Sequence, residues 1–148
     1  MTDAHSITLR QVDNFQFSHS YGENLPALTS DEPPPLGAAA GPSPVQLLLS
    51  AVGACMSSSF HFAMHKFHEA PGPISTTATA TVGRDETNRM RVQQLEIAIH
   101  FTAAAASISH LQKVLDQFES FCTVGATVAR GIPTRVSVTD GAGTTVKG

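Results

Sequence analysis

The sequence predicts an α+β fold, antiparallel sheets around one long buried helix, and three stretches carry that expectation. Ser43-Pro44-Val45-Gln46 opens a helical pattern that holds to about His68. Ile74 to Val82 is Thr-rich and alternating, and Leu95, Ile97, Ile99 and Phe101 then alternate with Glu96, Ala98 and His100. A short strand, Thr134 to Thr139, follows the Gly131-Ile132-Pro133 turn.

Taken in order, Ser6 to Thr29 reads as short extended segments, with Ile7, Leu9, Phe15 and Phe17 alternating with polar neighbours. Ser30 to Gly41 is a surface loop, because Pro33-Pro34-Pro35 has no backbone N–H to donate and disfavours helix. The helix start is a capping box: Ser43 as N-cap, Pro44 at the first helical position, Gln46 three residues after the cap. About 25 residues at 1.5 Å each make a rod of about 37 Å, ended by Glu69-Ala70-Pro71-Gly72-Pro73. Its first half, Leu47 to Met56, is apolar on nearly every face, which predicts burial all round. The Ile74 and Leu95 strands pair most simply as an antiparallel hairpin across the polar turn Gly83 to Asn88. A second amphipathic helix is expected from about Ser107 to Phe121, with Ile108, Leu111, Val114, Leu115, Phe118 and Phe121 at helical spacing. Gly141-Ala142-Gly143 reads as a loose tail.

The 148 residues suit one domain, 1–148, with no internal repeat and no linker. Nine Lys+Arg against twelve Asp+Glu leave a net charge of −3 and no basic stretch, so nucleic acid is not an expected partner. No apolar run approaching roughly 18 residues is read from the sequence, so no membrane span is expected, and Met1-Thr2-Asp3-Ala4-His5 lacks the look of a signal peptide. The expected location is the cytoplasm. The charged fraction is 14%, well below the ~25% of ordinary soluble domains, which is accounted for if much surface lies in an oligomer interface.

Two cysteines are too few for a disulfide scaffold and are not at zinc-ligand spacing. Cys55 lies midway along the long helix, sharing a face with Leu48, Ala51 and Val52 before it and Ser58, Ser59 and Phe62 after it. Cys122 closes the second helix on its apolar side. On the residues alone the thiols are either inert core filling or a redox pair. His61, His65 and His68 fall at i, i+4 and i+7, but no Asp or Cys completes a metal set; a solvated helix end explains them, and no metal or cofactor is expected.

The run Gly41-Pro42-Ser43-Pro44-Val45-Gln46-Leu47-Leu48-Leu49-Ser50-Ala51-Val52-Gly53-Ala54-Cys55 closely resembles the central-helix signature of the OsmC/Ohr family, the osmotically inducible and organic-hydroperoxide-resistance proteins. Asp31-Glu32-Pro33 and Gly37 fit the loop before that helix in one branch. Phe121-Cys122-Thr123-Val124, followed by Gly131-Ile132-Pro133, resembles the family's second signature, with Thr123 where the family has Pro. The resemblance implies an intertwined homodimer with long helices packed centrally between sheets. It also implies a thiol peroxidase. The residue matching Cys55 attacks an organic hydroperoxide and becomes a sulfenic acid, the one matching Cys122 condenses with it to a disulfide, and an external dithiol reduces the pair. The same fold with idle thiols would serve instead as a small-molecule or acyl-chain binding module.

Besides Thr123, the match departs from the peroxidase pattern at the helix start. Peroxidase members activate the reactive sulfur with an Arg held by a Glu just after the helix-opening proline; here that position is Val45, and the next, Glu in another branch, is Gln46. Gln46 is read as the capping partner of Ser43. Arg10 is the one arginine before the helix, and Arg84, Arg89, Arg91, Arg130 and Arg135 read as turn and strand-edge charges.

Overall fold

The computed structural model describes residues 2–148, in two compact units that divide after Leu48. In the first unit, β1 (Thr8–Asp13), β2 (Gln16–Ser20) and β3 (Leu28–Ser30) form an antiparallel sheet in that order. The β1–β2 hairpin turns at Asn14, whose φ of 42° lies in the left-handed region that Asn tolerates. Leu9, Val12 and Phe15 remain 41–61% exposed, so this sheet keeps uncovered apolar surface within one chain. The loop after β3 is organised by one carboxylate. Asp31, buried, accepts the N–H of Glu32 at 2.8 Å and those of Ala38 and Ala40 at 3.0 Å. These bonds hold its acidity above that of an ordinary Asp; the Ala40 N–H contributes most and burial opposes it.

Helix α1 (Pro44–Lys66) begins with the expected capping box: Gln46 N–H donates to Ser43 Oγ at 3.3 Å and Ser43 N–H donates to Gln46 Oε1 at 2.9 Å. It ends earlier than the pattern suggested. His68 takes φ 58°, and the Glu69 N–H reaches back to the Met64 carbonyl at 2.9 Å while His68 N–H bonds that of His65 at 3.0 Å. This is a Schellman stop, with His68 in the position usually given to Gly.

In the second unit, β4 (Ile74–Arg84), β5 (Met90–Phe101), β6 (Thr134–Thr139) and β7 (Thr145–Lys147) make a sheet in the order β4-β5-β6-β7. The β4–β5 hairpin is antiparallel as expected, but β5 and β6 run parallel, so this sheet is mixed. A parallel partner needs a crossover, and the helical segment between β5 and β6 supplies it. Leu95, Ile97, Ile99 and Phe101 turn one face of β5 inward and are at most 1% exposed. Val52, Met56, Phe60, Ala63 and Met64 are the buried row of α1. The core is anchored by Phe60, whose ring meets Phe101 at 5.7 Å and Phe118 edge-on at 5.3 Å. Ser57 Oγ ties α1 to β4 through Thr76 Oγ1 at 2.6 Å.

Four expectations are corrected. The first half of α1 is not buried all round: Ser50, Ala51 and Ala54 are exposed and Leu47, Leu48 and Leu49 half-buried, because one chain covers only one side of it. By length and composition α1 is long and apolar enough to cross a membrane, although no such run was expected; its buried row and its aromatic contacts make it a core helix. The second helix is shorter than expected: α2 covers Leu111–Gln117, a 3-10 turn (Phe118–Phe121) finishes it, and a further short helix that was not expected, α3 (Thr123–Val128), follows Cys122. The glycine-rich tail is ordered by Asp140, which accepts the N–H of Thr144 at 2.7 Å, Ala142 at 3.0 Å and Ala105 at 2.6 Å and leads the chain into β7.

Phe60→Ala is expected to cost about 3–5 kcal/mol, since it removes the ring shared by β5 and the 3-10 turn. Urea unfolding followed by circular dichroism measures it, and a loss under about 1 kcal/mol would refute this account of the core.

Candidate functional site

Cys55 and Cys122 are brought together in the second unit by two different backbone devices. Cys55 rides on α1, one turn before Ser59. Cys122 is held between the 3-10 turn and α3. It is the N-cap of α3, extended at φ −87° and ψ 95°, and its sulfur accepts the Gly125 N–H at 3.1 Å. A Cys in a capping place normally taken by Ser, Thr, Asp or Asn gives none of the usual start signal, which is why the short helix after it was not expected. Both thiols are free, with Cys55 half-buried and Cys122 fully buried.

The two sulfurs have opposite acidities. Burial pushes the Cys55 thiol up, but hydrogen bonds from the Cys122 thiol, the N–H groups of Val124 and Gly125 and the Ser59 hydroxyl outweigh it, leaving the thiol more acidic than its ordinary 9.0. Burial also pushes Cys122 up, and here the bond to Cys55 and the charge of Cys55 act in the same direction, so this thiol is weaker than 9.0. Donors that stabilise the charged form lower a thiol pKa, while burial and a neighbouring like charge raise it. No guanidinium is among the groups acting on either sulfur.

Close approach demands glycine at 125. A Cβ there would lie 2.7 Å from Cys122 Sγ and 2.8 Å from Met56 Cε, too near for either to remain in place. Met56 and Gly125 also line a cavity of about 270 Å³, whose walls include Ala126, Ala129 and Val136 and the polar Glu119, Ser120 and Thr134. Phe62, two turns beyond Cys55, and Phe121, beside Cys122, meet edge-on at 5.1 Å and are 55% and 36% exposed. Sequence reasoning placed Ser59 on the Cys55 face without a role and missed Val124 and Gly125. The available signal was Gly three residues after a Cys in a non-helical start.

The arginines, histidines and other charged residues are engaged elsewhere or exposed, except that Glu119 also lines the cavity at Met56 and Gly125. Arg10 is an exposed residue of β1, and Gln46 is engaged in the cap. Arg91 pairs with Asp85 at 3.3 Å and Arg84 bonds the Asn88 carbonyl at 2.9 Å, while Arg89, Arg130 and Arg135 are exposed. Asp116 accepts from Gln112 at 2.8 Å and Glu119 pairs with Lys147 at 2.8 Å. The His61 and His65 rings stack edge-on at 6.0 Å, His68 serves the helix stop, and no metal-holding cluster exists among the described residues.

The acidities carry a pH signature. A depressed thiol keeps its thiolate as pH falls below 9.0, and a raised one loses it sooner, so iodoacetamide near neutral pH is expected to label Cys55 well ahead of Cys122. Gly125→Ala is expected to displace the Cys122 sulfur and move the Cys55 labelling midpoint upward. Equal labelling of both thiols, or a midpoint unmoved by the extra methyl, contradicts the geometry; peptide mass spectrometry across pH reads both.

The chain matches the family described as OsmC-like protein over residues 37–137. None of the curated proteins matches it in sequence. Among solved structures it is similar to an OsmC like protein from Mycoplasma pneumoniae, at 16% identity and TM-score 0.76, covering 95% of this chain and 99% of that one. It is likewise similar to an organic hydroperoxide resistance protein from Elizabethkingia anophelis, at 15% identity and TM-score 0.74, with coverage of 95% and 99%. The organic hydroperoxide resistance protein of Bacillus subtilis aligns at 14% identity and TM-score 0.68, covering 92% and 98%. At these identities the structures establish the shared fold. With the family match running from the loop before α1 into β6, the chain belongs to the OsmC-like proteins.

Proposed function

We propose that this protein is a thiol peroxidase that reduces organic hydroperoxides through Cys55 and Cys122. The observation that carries the reading is the meeting of two free thiols of opposite acidity, the more acidic one also the more accessible. The Cys55 thiolate attacks the terminal oxygen of the hydroperoxide. The O–O bond breaks, the departing alkoxide takes a proton to become the alcohol, and Cys55 becomes a sulfenic acid. Cys122, as thiolate, attacks that sulfur; hydroxide leaves with a proton as water, and a disulfide joins the pair. An external dithiol regenerates both thiols by exchange.

Hydrogen bonds do here what a cation does in the peroxidase pattern. Val45 and Gln46 leave no carboxylate at the expected place, and the N–H groups of Val124 and Gly125 stabilise the thiolate instead. The exposed Phe62–Phe121 pair beside the thiols favours an alkyl or aryl hydroperoxide over hydrogen peroxide. Two of the similar structures are named organic hydroperoxide resistance proteins, which agrees with this substrate class. The working form is a homodimer. The uncovered side of α1 and the exposed apolar residues of β1, each a feature of its own unit, are surfaces that a second copy covers. Thiols that must be re-reduced each cycle suit a reducing compartment, the cytoplasm.

The expected results are turnover of an alkyl hydroperoxide with a dithiol reductant, its loss in Cys55→Ser, and in Cys122→Ser a single oxidation of Cys55 that dimedone traps. Light scattering is expected to give twice the chain mass. Thiols that stay fully titratable under excess hydroperoxide refute the peroxidase reading.

A further inference from the structure

One face of the β1–β2–β3 sheet holds a polar pair that the thiol chemistry does not use. Side chains two apart on a strand share a face, so Phe17 and His19 of β2 point the same way. Leu9 of β1 lies opposite His19 and Ser30 of β3 lies opposite Phe17, which puts all four on that face. His19 Nε2 and Ser30 Oγ meet at 2.7 Å, and each residue is only 6% exposed. Around them is a cavity of about 270 Å³, walled by Leu9, Phe15, Phe17, Pro44 and Leu47. Its lining is overwhelmingly apolar, and Leu9, Phe15 and Phe17 stay exposed. A concave apolar wall with a buried polar pair in it is the ordinary make-up of a small-molecule site.

We propose that this cavity binds a neutral, apolar alcohol, its hydroxyl hydrogen-bonded to the His19–Ser30 pair and its chain against Leu9, Phe15, Phe17 and Leu47. The bond between His19 and Ser30 uses only part of their capacity. If the imidazole N–H donates to Oγ, Ser30 keeps its own proton to give; if Ser30 donates to Nε2, Oγ keeps lone pairs to accept with. An alcohol O–H, donor and acceptor at once, completes either arrangement. Charged ligands fare worse. Asp31 and Glu32 share the lining, so an anion would meet like charge. An ammonium finds no free partner in Asp31, whose two oxygens already accept the N–H groups of Glu32, Ala38 and Ala40. A cavity of about 150 Å³ holds benzene, so this one has room for a chain of roughly eight carbons. The site lies wholly within the first unit, involves neither thiol and stands apart from the peroxidase reading. A second copy lying over β1 would either roof this cavity or fill it, and the test separates the two.

The chain has one tyrosine and no tryptophan, and the Tyr21 ring stacks on His19 at 6.4 Å, so intrinsic fluorescence reports from the site itself. Octanol titrated into the full chain at neutral pH is expected to change that fluorescence and to saturate below its solubility limit. Octanoate and octylamine are expected to bind at least about tenfold more weakly. Ser30→Ala, which removes the hydroxyl of the pair, is expected to weaken octanol about tenfold. Leu9→Glu, at an exposed strand position, is expected to abolish binding without touching the buried pair, and circular dichroism identifies which variants are folded. A response that never saturates, equal binding of all three compounds, or octanol affinity unchanged in the folded variants overturns the proposal. So does a Tyr21 signal that follows protein concentration and ignores octanol, which gives the cavity to the second copy. Octanol binding in Cys55→Ser is expected to match the parent, so failure of the peroxidase reading leaves this test able to decide the cavity on its own.

Discussion

A thiol inside a protein becomes a nucleophile only if its charged form is better solvated by the protein than burial would allow, and everything else in this molecule is arranged around that requirement. Cys55 sits on a long apolar helix, an environment that by itself would hold its proton in place. Its acidity comes largely from the start of α3, where two backbone N–H groups and the Cys122 thiol act on the sulfur, with a smaller part from the Ser59 hydroxyl of α1 itself. The convergence depends on Cys122 standing as N-cap between the 3-10 turn and α3 and on residue 125 lacking a side chain, since a methyl there would push on the ends of both Cys122 and Met56. The same contact that makes Cys55 more acidic makes Cys122 less so.

The fold serves this by rigid means. The Phe60 ring, packed on Phe101 of β5 and Phe118 of the 3-10 turn, fixes the second half of α1 against the elements that deliver Cys122. Ser57 pins the other flank of the helix to β4. The Asp31 and Asp140 carboxylates, each accepting three backbone N–H groups, order the two irregular segments most able to wander. Neither carboxylate touches the dithiol; they hold the frame.

The regular parts of this design were legible in the residues. The capping box at Ser43, the Thr134–Thr139 strand and the β4–β5 hairpin follow from local chemistry and two-residue alternation, which tertiary context did not override. The pairing of Cys55 with Cys122 was suggested by family resemblance, not by spacing. The parts that stayed hidden are those set by long-range geometry. A parallel β5–β6 pairing has no local signature. The N-cap at Cys122 opens a short helix, Thr123–Val128, that no usual start residue announces. Burial of α1 was overestimated because apolarity on all faces signals what must be covered and says nothing of whether the same chain covers it. The hydrogen-bond donors at Val124 and Gly125 are backbone groups, and a search of side-chain types for a missing Arg could not find them.

The central claim is that two sulfurs distant in the chain are direct reaction partners. The measurement that bears on it most directly is peptide mapping without reduction after the reduced protein meets one equivalent of an alkyl hydroperoxide. The account predicts a single cross-linked species joining the Cys55 and Cys122 peptides of one chain, formed at the expense of both free thiols and reversed by a dithiol. Cross-links between chains through either cysteine, or sulfinic acid accumulating on Cys55 beside an untouched Cys122, would contradict it.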